Sequence, residues 1–389
     1  MQEINPKYQI RVVQDITEFN TLEAEWNMLT RSYKYHVPFL CFDWFKIWLK
    51  HFLNVNKLFI LLVYKEDHLS AIAPFIIKNE KFRGIIKAKK IELIGNVHSP
   101  VRNFIFLDSN NGTRKANLID IFDYLKTQFK DWDIIELEPI PEEDSTFTVV
   151  DLVLSEAGLK KRQYSCFGDW YLDEINYSGD EYINGRPKNT RLELKRRKKR
   201  LEEVGQLEFQ IGRDKDKVDY YINLYHEVRG KSWKQPEMDI LFQRDFRRLA
   251  AEKGWLRFGF LFVNGSPIAA QLRIVFNGVA YFMDTVHDPN YNQFAPGSIL
   301  RAEFTKYLID VDKISEIDNI RGDEAYKKEW TPKRRERKGI TIFNNTLKGQ
   351  VLAFLMTRVL PSIEKYPILF KGKNRIMGYL KGGSEIKGE

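Results

Sequence analysis

Three short stretches of this 389-residue chain gather side chains that could do chemistry. The first is Asp284-Thr285-Val286-His287-Asp288, where a histidine sits between two carboxylates that are alternative proton acceptors. An unperturbed imidazole pKa near 6.5 suits His287 to proton transfer at neutral pH. Asp288 precedes Pro289 and has a second, blander role open to it as a turn cap. The second stretch, Gln293-Phe294-Ala295-Pro296-Gly297-Ser298, is a glycine-bearing loop that leads into a segment of helical spacing. Free backbone N–H groups and the positive end of a helix dipole at such a place can hold a pyrophosphate. The third runs from Asp318 to Trp330, where Gly322 permits a sharp turn and Arg321, Tyr326, Lys327 and Trp330 bring charge, a phenol and a stacking face. Asp318 and Asp323 are further candidate bases. No metal-ligand spacing, Ser-His-Asp arrangement or nucleophilic cysteine context accompanies them.

The elements that must position these groups read clearly. Leu256–Val263 and Ile268–Phe276 are apolar, β-rich runs flanking Asn264-Gly265, a dipeptide suited to the positive φ angles of a two-residue hairpin turn. Asn277-Gly278 repeats the signal, and Val279–Val286 forms a third antiparallel strand ending at Asp288-Pro289. After a loop at Asn290–Pro296, a helix is expected over Ile299–Ile309, with Leu300, Phe304 and Leu308 on its buried face. A strand at Ile314–Ile317 then carries the chain to Arg321-Gly322.

Composition is that of a globular protein, 43% apolar and 14% aromatic, long enough for two domains. Cys41 and Cys166 are its only cysteines, which supports neither a disulfide framework nor a cysteine metal site and points to a reducing, cytoplasmic location. The opening MQEINPKYQIRVV lacks the pattern of a secretory signal, and the longest apolar run, Leu58–Tyr64, is far too short to span a bilayer. The net charge of +9 calls for an anionic partner, for which CoA phosphates, transfer RNA and acidic lipid headgroups all qualify.

The earlier part of the chain repeats the theme. A strand at Tyr8–Val13 and a helix at Ile16–Arg31 precede a dense aromatic segment, Pro38–Trp48. LFILLVYKEDHLSAIAPFII then mirrors LRFGFLFVNGSPIAAQLRI, which suggests an internal duplication. A strand at Ile91–Gly95, another at Asn103–Leu107, a helix at Thr113–Phe129 and a strand at Asp133–Leu137, ending before Pro139, complete the first half. Its matching loop, Asp108-Ser109-Asn110-Asn111-Gly112, is acidic, so this half is not expected to hold a pyrophosphate. The junction falls between Val150 and Asn176. Eight basic residues lie between Arg186 and Lys199, on a helix expected to seat Leu192, Leu194 and Leu201 against the core. Helical spacing returns at Tyr220–Arg229 and Met238–Lys253, and a strand at Ile340–Asn344 closes the sheet.

GSPIAAQL, DPNY, APGSIL and IRGDEAYKKEW, in that order, closely resemble the second half of the CelD/BcsL-type acyltransferases of the GNAT superfamily, relatives of the FemABX transferases. The resemblance, over roughly residues 15–345, implies an α/β fold of tandem GNAT-like halves, with mixed, mostly antiparallel sheets flanked by helices. It implies an N-terminal half at 1–165 shaping the acceptor site, a C-terminal half at 166–345 binding acyl-CoA, and a basic amphipathic tail at 346–389. Gln293, Ala295, Pro296, Gly297 and Ser298 take the place of the family's pyrophosphate loop, with Tyr281 and Lys327 beside the donor. N–H donors for the thioester carbonyl would come from a splayed strand at Ala280–Val286. His287, Asp288, Asp284, Asp323 and Tyr326 are the catalytic candidates. Direct transfer without an acyl-enzyme is the implied mechanism. Pro38-Phe39-Leu40-Cys41-Phe42-Asp43-Trp44 is similar to a P-F-x-x-x-x-W region near the family's start, which puts Trp44 in an acceptor or acyl pocket. Arg186, Lys188 and Asn189 would stand near an anionic group. Lys231 with Trp233 and Arg321 with Trp330 would line the cleft. No metal is implied. The acceptor is an amine or hydroxyl, with a long-chain amine of the kind used by bacterial ceramide-forming N-acyltransferases a leading candidate. The tail, with Arg358, Lys365, Lys371, Lys373 and Arg375, would let the protein sit on the inner face of a membrane. A FemABX-like transferase using charged transfer RNA is the runner-up, favoured by the basic helix, and a non-catalytic envelope-binding protein is the alternative from another class.

Overall fold

The computed structural model describes residues 8–54, 56–82, 86–107 and 110–359. Asp108 and Ser109 of the acidic loop, and the tail from 360 on with Ile368–Phe370, Lys365, Lys371, Lys373 and Arg375, lie outside the described residues. The chain divides into two compact units, one running to Cys166 and resuming at Glu336, the other spanning Phe167–Arg335.

Each unit is a mixed, mostly antiparallel sheet flanked by helices, and the two follow the same order of elements. In the first, Tyr8–Val13, Lys57–Lys65, His68–Phe82 and Ile86–Leu93 lie side by side as antiparallel neighbours. The helix Asn111–Thr127 then leads to Ile134–Pro141, which pairs in parallel with Ile86–Leu93. In the second, Leu207–Gly212, Leu256–Val263, Ser266–Phe276 and Val279–His287 are antiparallel neighbours. The helix Pro296–Asp310 then leads to Glu316–Asp318, parallel to Val279–His287. Three hairpin turns among the described residues are of one kind: Glu66-Asp67, Asn264-Gly265 and Asn277-Gly278 all have two successive positive φ values, which is why Asn and Gly recur there. Lys333–Phe343 lies antiparallel to Ile134–Pro141, and Lys160–Leu172 lies antiparallel to Glu316–Asp318.

Several elements depart from the sequence expectation for local reasons. The helix expected at Ile16–Arg31 is two, Ile16–Asn20 and Glu23–Ser32, because the Thr21 hydroxyl donates to Glu18 O and closes the first. The strand expected to stop before Pro139 continues to Pro141. Its register slips between Lys338 and Ile340 of the partner strand, so the proline is not asked for a ladder hydrogen bond. The strand at Asn103–Leu107 shrinks to Ile105–Phe106, and the loop after Asp288 is a 3₁₀ turn, Pro289–Phe294. On the basic helix Lys188–Glu202, Leu201 is buried and Leu194 packs on the core, but Leu192 is exposed. Residues two apart on a helix diverge by about 200°. The described start of the tail, Leu347–Phe354, seats Leu352 and Ala353 against Ile134 and Phe343 of the first unit.

Candidate active site

The strand Val279–His287 organises the candidate site through a bulge and a lost neighbour. Leu272 opposes Asp284 and Arg273 opposes Phe282, so Met283 is the extra residue of a β-bulge. On its other side the strand is paired only at Val279, Ala280 and Tyr281, with Glu316, Ile317 and Asp318. Among the described residues nothing continues that ladder past Tyr281. Its backbone groups are therefore open to a ligand laid along the edge, except the Thr285 N–H, which donates to Asp284 Oδ1 at 2.8 Å.

Past the bulge the strand's regular alternation sorts the side chains. Thr285 and His287 face the start of the helix Pro296–Asp310: a β-carbon at Gly297 would stand 3.4 Å from His287 Nδ1 and 3.7 Å from Thr285 Oγ1. Asp284 instead faces the helix Val218–Lys231. Tyr225, Arg229 (2.6 Å) and Lys234 all donate to its carboxylate. Burial by itself would raise the Asp284 pKa, but the Lys234 ammonium, with Tyr225 and Arg229, outweighs it and holds the carboxyl below the usual range. A carboxylate so engaged is a poor proton acceptor. The catalytic role expected of Asp284 becomes one of tethering the Trp233–Lys234 loop to the strand.

The helix beside this edge opens on a chain turn with Ala295 in the left-handed region, φ 47°. Pro296 has no N–H. The N–H groups of Ser298 and Ile299 donate back to Ala295 O, at 2.9 and 3.2 Å, and no side chain caps the turn. Among the described residues the Gly297 amide has no acceptor and is the free donor of this first turn, and the Gly297 carbonyl is held by Gln271 Nε2 at 2.9 Å. In the first unit the corresponding helix start is closed by the Asn110 side chain, which accepts from Gly112 N at 2.7 Å. The sequence expected several free amides near Ser298. The turn geometry leaves that of Gly297.

His287 donates from Nε2 to Asn292 Oδ1 at 2.7 Å, which leaves the Nδ1 lone pair facing Gly297. Its ring lies 4.4 Å from that of Trp233, centroid to centroid. Burial lowers its pKa, so the imidazole is neutral at pH 7. Asp288 caps the following turn by accepting from Asn290 N at 2.9 Å, the blander of its two roles. A cavity of about 460 Å³ opens beside this turn, lined by Asp288, Gln293, Lys231 and the strand start Ser266–Ile268.

The other expected residues are spread more widely. Asp323 is clasped by Arg334 at 2.6 and 3.0 Å, which holds its carboxyl low and makes it an anchor for the 321–324 turn. Asp318, likewise, pairs with Arg335. Lys327, expected at the donor, is buried, with its ammonium spent on Arg321 O and on Glu324 at 2.8 Å. Arg186 is spent on the carbonyls of Tyr182 and Trp330, whereas Lys188 and Asn189 are exposed at the start of the basic helix. Arg321 stacks on Phe167 at 4.3 Å. Tyr281 is buried at the last paired position, and Trp330 is buried under Arg301. Trp44 belongs to the first unit, where it is 2% exposed and packed edge-on against Phe39. A bulky side chain in that core is a packing residue.

Residues 188–328, which contain the bulged strand, the open edge and the uncapped helix start, match the model of an acetyltransferase (GNAT) domain. This stretch is similar to a GNAT acetyltransferase domain. The fold is also that of solved structures. FemX is similar at 12% identity with a TM-score of 0.56, over 88% of this chain and all of the other. A conserved protein of unknown function from Bacteroides thetaiotaomicron is similar at 11% identity with a TM-score of 0.50, over 86% of this chain and all of the other. No curated protein sequence matches. GNAT domains use acyl-CoA, and the chain is an acyltransferase. Among the described residues no cluster of His, Cys, Asp and Glu could hold a metal ion, and no helix is long and apolar enough to cross a membrane.

Within the GNAT domain the sequence reading passed over Gln271, Arg273, Thr285 and Arg301. Gln271 and Arg273 interrupt an otherwise apolar strand at alternate positions, and Arg301 sits one helical turn after Gly297. A polar residue inside an apolar pattern was the available signal. The Thr285 hydroxyl is buried, with no hydrogen-bond partner among the described residues. His287→Ala is expected to lower kcat about a hundredfold, the usual contribution of a proton acceptor, while CoA binding survives. The acceptor must be unprotonated and its pKa lies below the ordinary 6.5. Wild-type kcat should therefore be flat above about pH 6.5 and fall as acid is added through that lowered value. The variant should lose this acid limb, and a pH–rate profile unchanged by the substitution would remove His287 from the mechanism.

Proposed function

We propose that the protein transfers an acyl group from acyl-CoA directly to the amine of an envelope or lipid acceptor. The observation that carries this reading is the free Gly297 amide at an uncapped helix start, set against the unpaired edge of the bulged strand. The amide and the helix dipole would hold the CoA pyrophosphate. Backbone N–H groups on the open edge would meet the oxyanion that forms as the amine attacks the thioester carbonyl. The C–N bond forms, the C–S bond breaks and CoA leaves as the thiol, with the amine proton passing to His287 Nδ1 and on to solvent. Neutral imidazole at pH 7 suits that step. A long-chain amine is the first acceptor to test. Leu347, Val351 and Phe354 form an exposed apolar stripe on the helix Leu347–Phe354 that would rest on a lipid surface.

A ligand bound only by the folded state raises the melting temperature. Calorimetry with CoA, acetyl-CoA and palmitoyl-CoA should therefore show a rise with each. No rise with any of them would remove acyl-CoA as the donor, and a rise with transfer RNA instead would favour the aminoacyl-transfer reading. Product mass spectrometry with an amine panel then identifies the acceptor.

A further inference from the structure

The GNAT domain buries two guanidinium groups for which it provides no counter-charge. Arg273 is 0% exposed and Arg301 4%. Both stack on the ring of Phe282, the residue opposite Arg273 at the bulge, with guanidinium carbons 4.1 and 5.1 Å from its centroid. Among the described residues no carboxylate forms an ion pair with either. Arg273 makes one long contact, 3.4 Å to Gln271 Oε1, and its Nε and Nη1 are buried without partners. Arg301 donates only to Asn319 Oδ1, at 2.9 Å. Burial depresses both pKa values, and the Arg301 cation lowers that of Arg273 further. Cation–π contact offsets part of the desolvation cost but supplies no counter-charge. This is the electrostatics of a receptor for an anion.

Its place in the fold connects it to the open edge. Gln271 joins Arg273 to the Gly297 carbonyl. Arg301 lies one turn along the same helix as Gly297, and half-exposed Tyr326 stands 5.8 Å from it as the outermost group. Phe282 is the first residue past the end of the parallel ladder.

We propose that Arg301 and Arg273 together bind an oxyanion, a carboxylate or a phosphate borne by the group being transferred or by its acceptor, admitted beside Tyr326 where the two strands part. Its assignment to a transfer substrate rests on the function proposed above, but binding of the anion does not. The site selects an anionic substrate and leaves a neutral analogue without a charge partner.

The test is calorimetry at constant ionic strength, with sodium chloride exchanged for sodium phosphate or sodium succinate. At about ten times Kd the wild type should gain about 3 °C with one of them. Phosphate alone active would mark a phosphate-bearing substrate, and succinate alone a carboxylate. Arg301→Met and Arg273→Met should melt no lower than wild type in chloride, since each removes an uncompensated charge, and should lose the gain. Arg301→Met should keep its rise with CoA. Selenate-soaked wild-type crystals should give an anomalous peak beside Arg301, a readout that needs no variant. The proposal is overturned by a wild type indifferent to both anions, or by methionine variants that melt lower with the gain intact. It is also overturned if Arg301→Met loses the CoA rise along with the small-anion gain, which would make the pair part of the donor site. A gain with succinate or phosphate and no rise with CoA would leave this anion site standing and sink the acyl-CoA reading.

Discussion

Gly297→Trp is expected to abolish the CoA-dependent rise in melting temperature and to reduce kcat/KM for acyl-CoA more than a hundredfold. One charge-assisted hydrogen bond is worth about 1.5–3 kcal/mol, or roughly 10- to 100-fold, and the indole would also fill the space above the turn. The variant should fold. Gly297 has no positive φ, and the atoms nearest a new β-carbon are the side-chain ends of His287 and Thr285, not backbone. Gly297→Ala, whose β-carbon meets those atoms at ordinary contact distances, should lose far less. Isothermal titration with CoA measures both, and tight binding by the tryptophan variant would show that the pyrophosphate lies elsewhere.

Asp284→Ala should produce the largest loss of stability. The carboxylate is the shared partner of Arg229 and Lys234 and accepts from Tyr225, all partly or wholly buried. Its removal leaves two cations facing each other. Breaking a buried ion pair costs about 3–5 kcal/mol, and because Lys234 is about a third exposed the expected loss is nearer 2–4 kcal/mol. Asp284→Asn should recover the Tyr225 hydrogen bond but not the charge. Urea unfolding of the three proteins gives the order wild type, Asn, Ala. Equal stabilities would mean that the cluster contributes nothing net. A lower kcat accompanying the loss of Asp284 would follow from release of Trp233, which packs on His287, and would not make the carboxylate a base.

The two predictions separate what Asp284 and His287 do, although they lie three residues apart on one strand. An alternating pattern would put residues 284 and 287 on opposite faces. The register between them is unbroken, because the bulge falls earlier, at Met283, and the contacts follow: Asp284 reaches Tyr225 and Arg229, while His287 faces Gly297. The Asp284–Asp288 stretch therefore looked like one catalytic cluster but divides into a tether, a candidate base and a turn cap.

What the amino-acid sequence determined was local. The hairpins at Asn264-Gly265 and Asn277-Gly278, the helix after Pro296 and the repeat of one order of elements in two units follow from turn chemistry and from the period of apolar residues. Both are properties of neighbours along the chain. The tertiary structure decided which polar groups are already occupied. Lys327, Arg186 and Asp323 have the side chains of ligand contacts, yet each is spent on a partner that the sequence does not mark. Gly297 and the Arg273–Arg301 pair carry the opposite lesson, because a donor is free only when the fold brings no acceptor to it. Partners distant in sequence meet only after the core has packed, so the chemistry a residue type permits is read from the chain, and its availability from the fold.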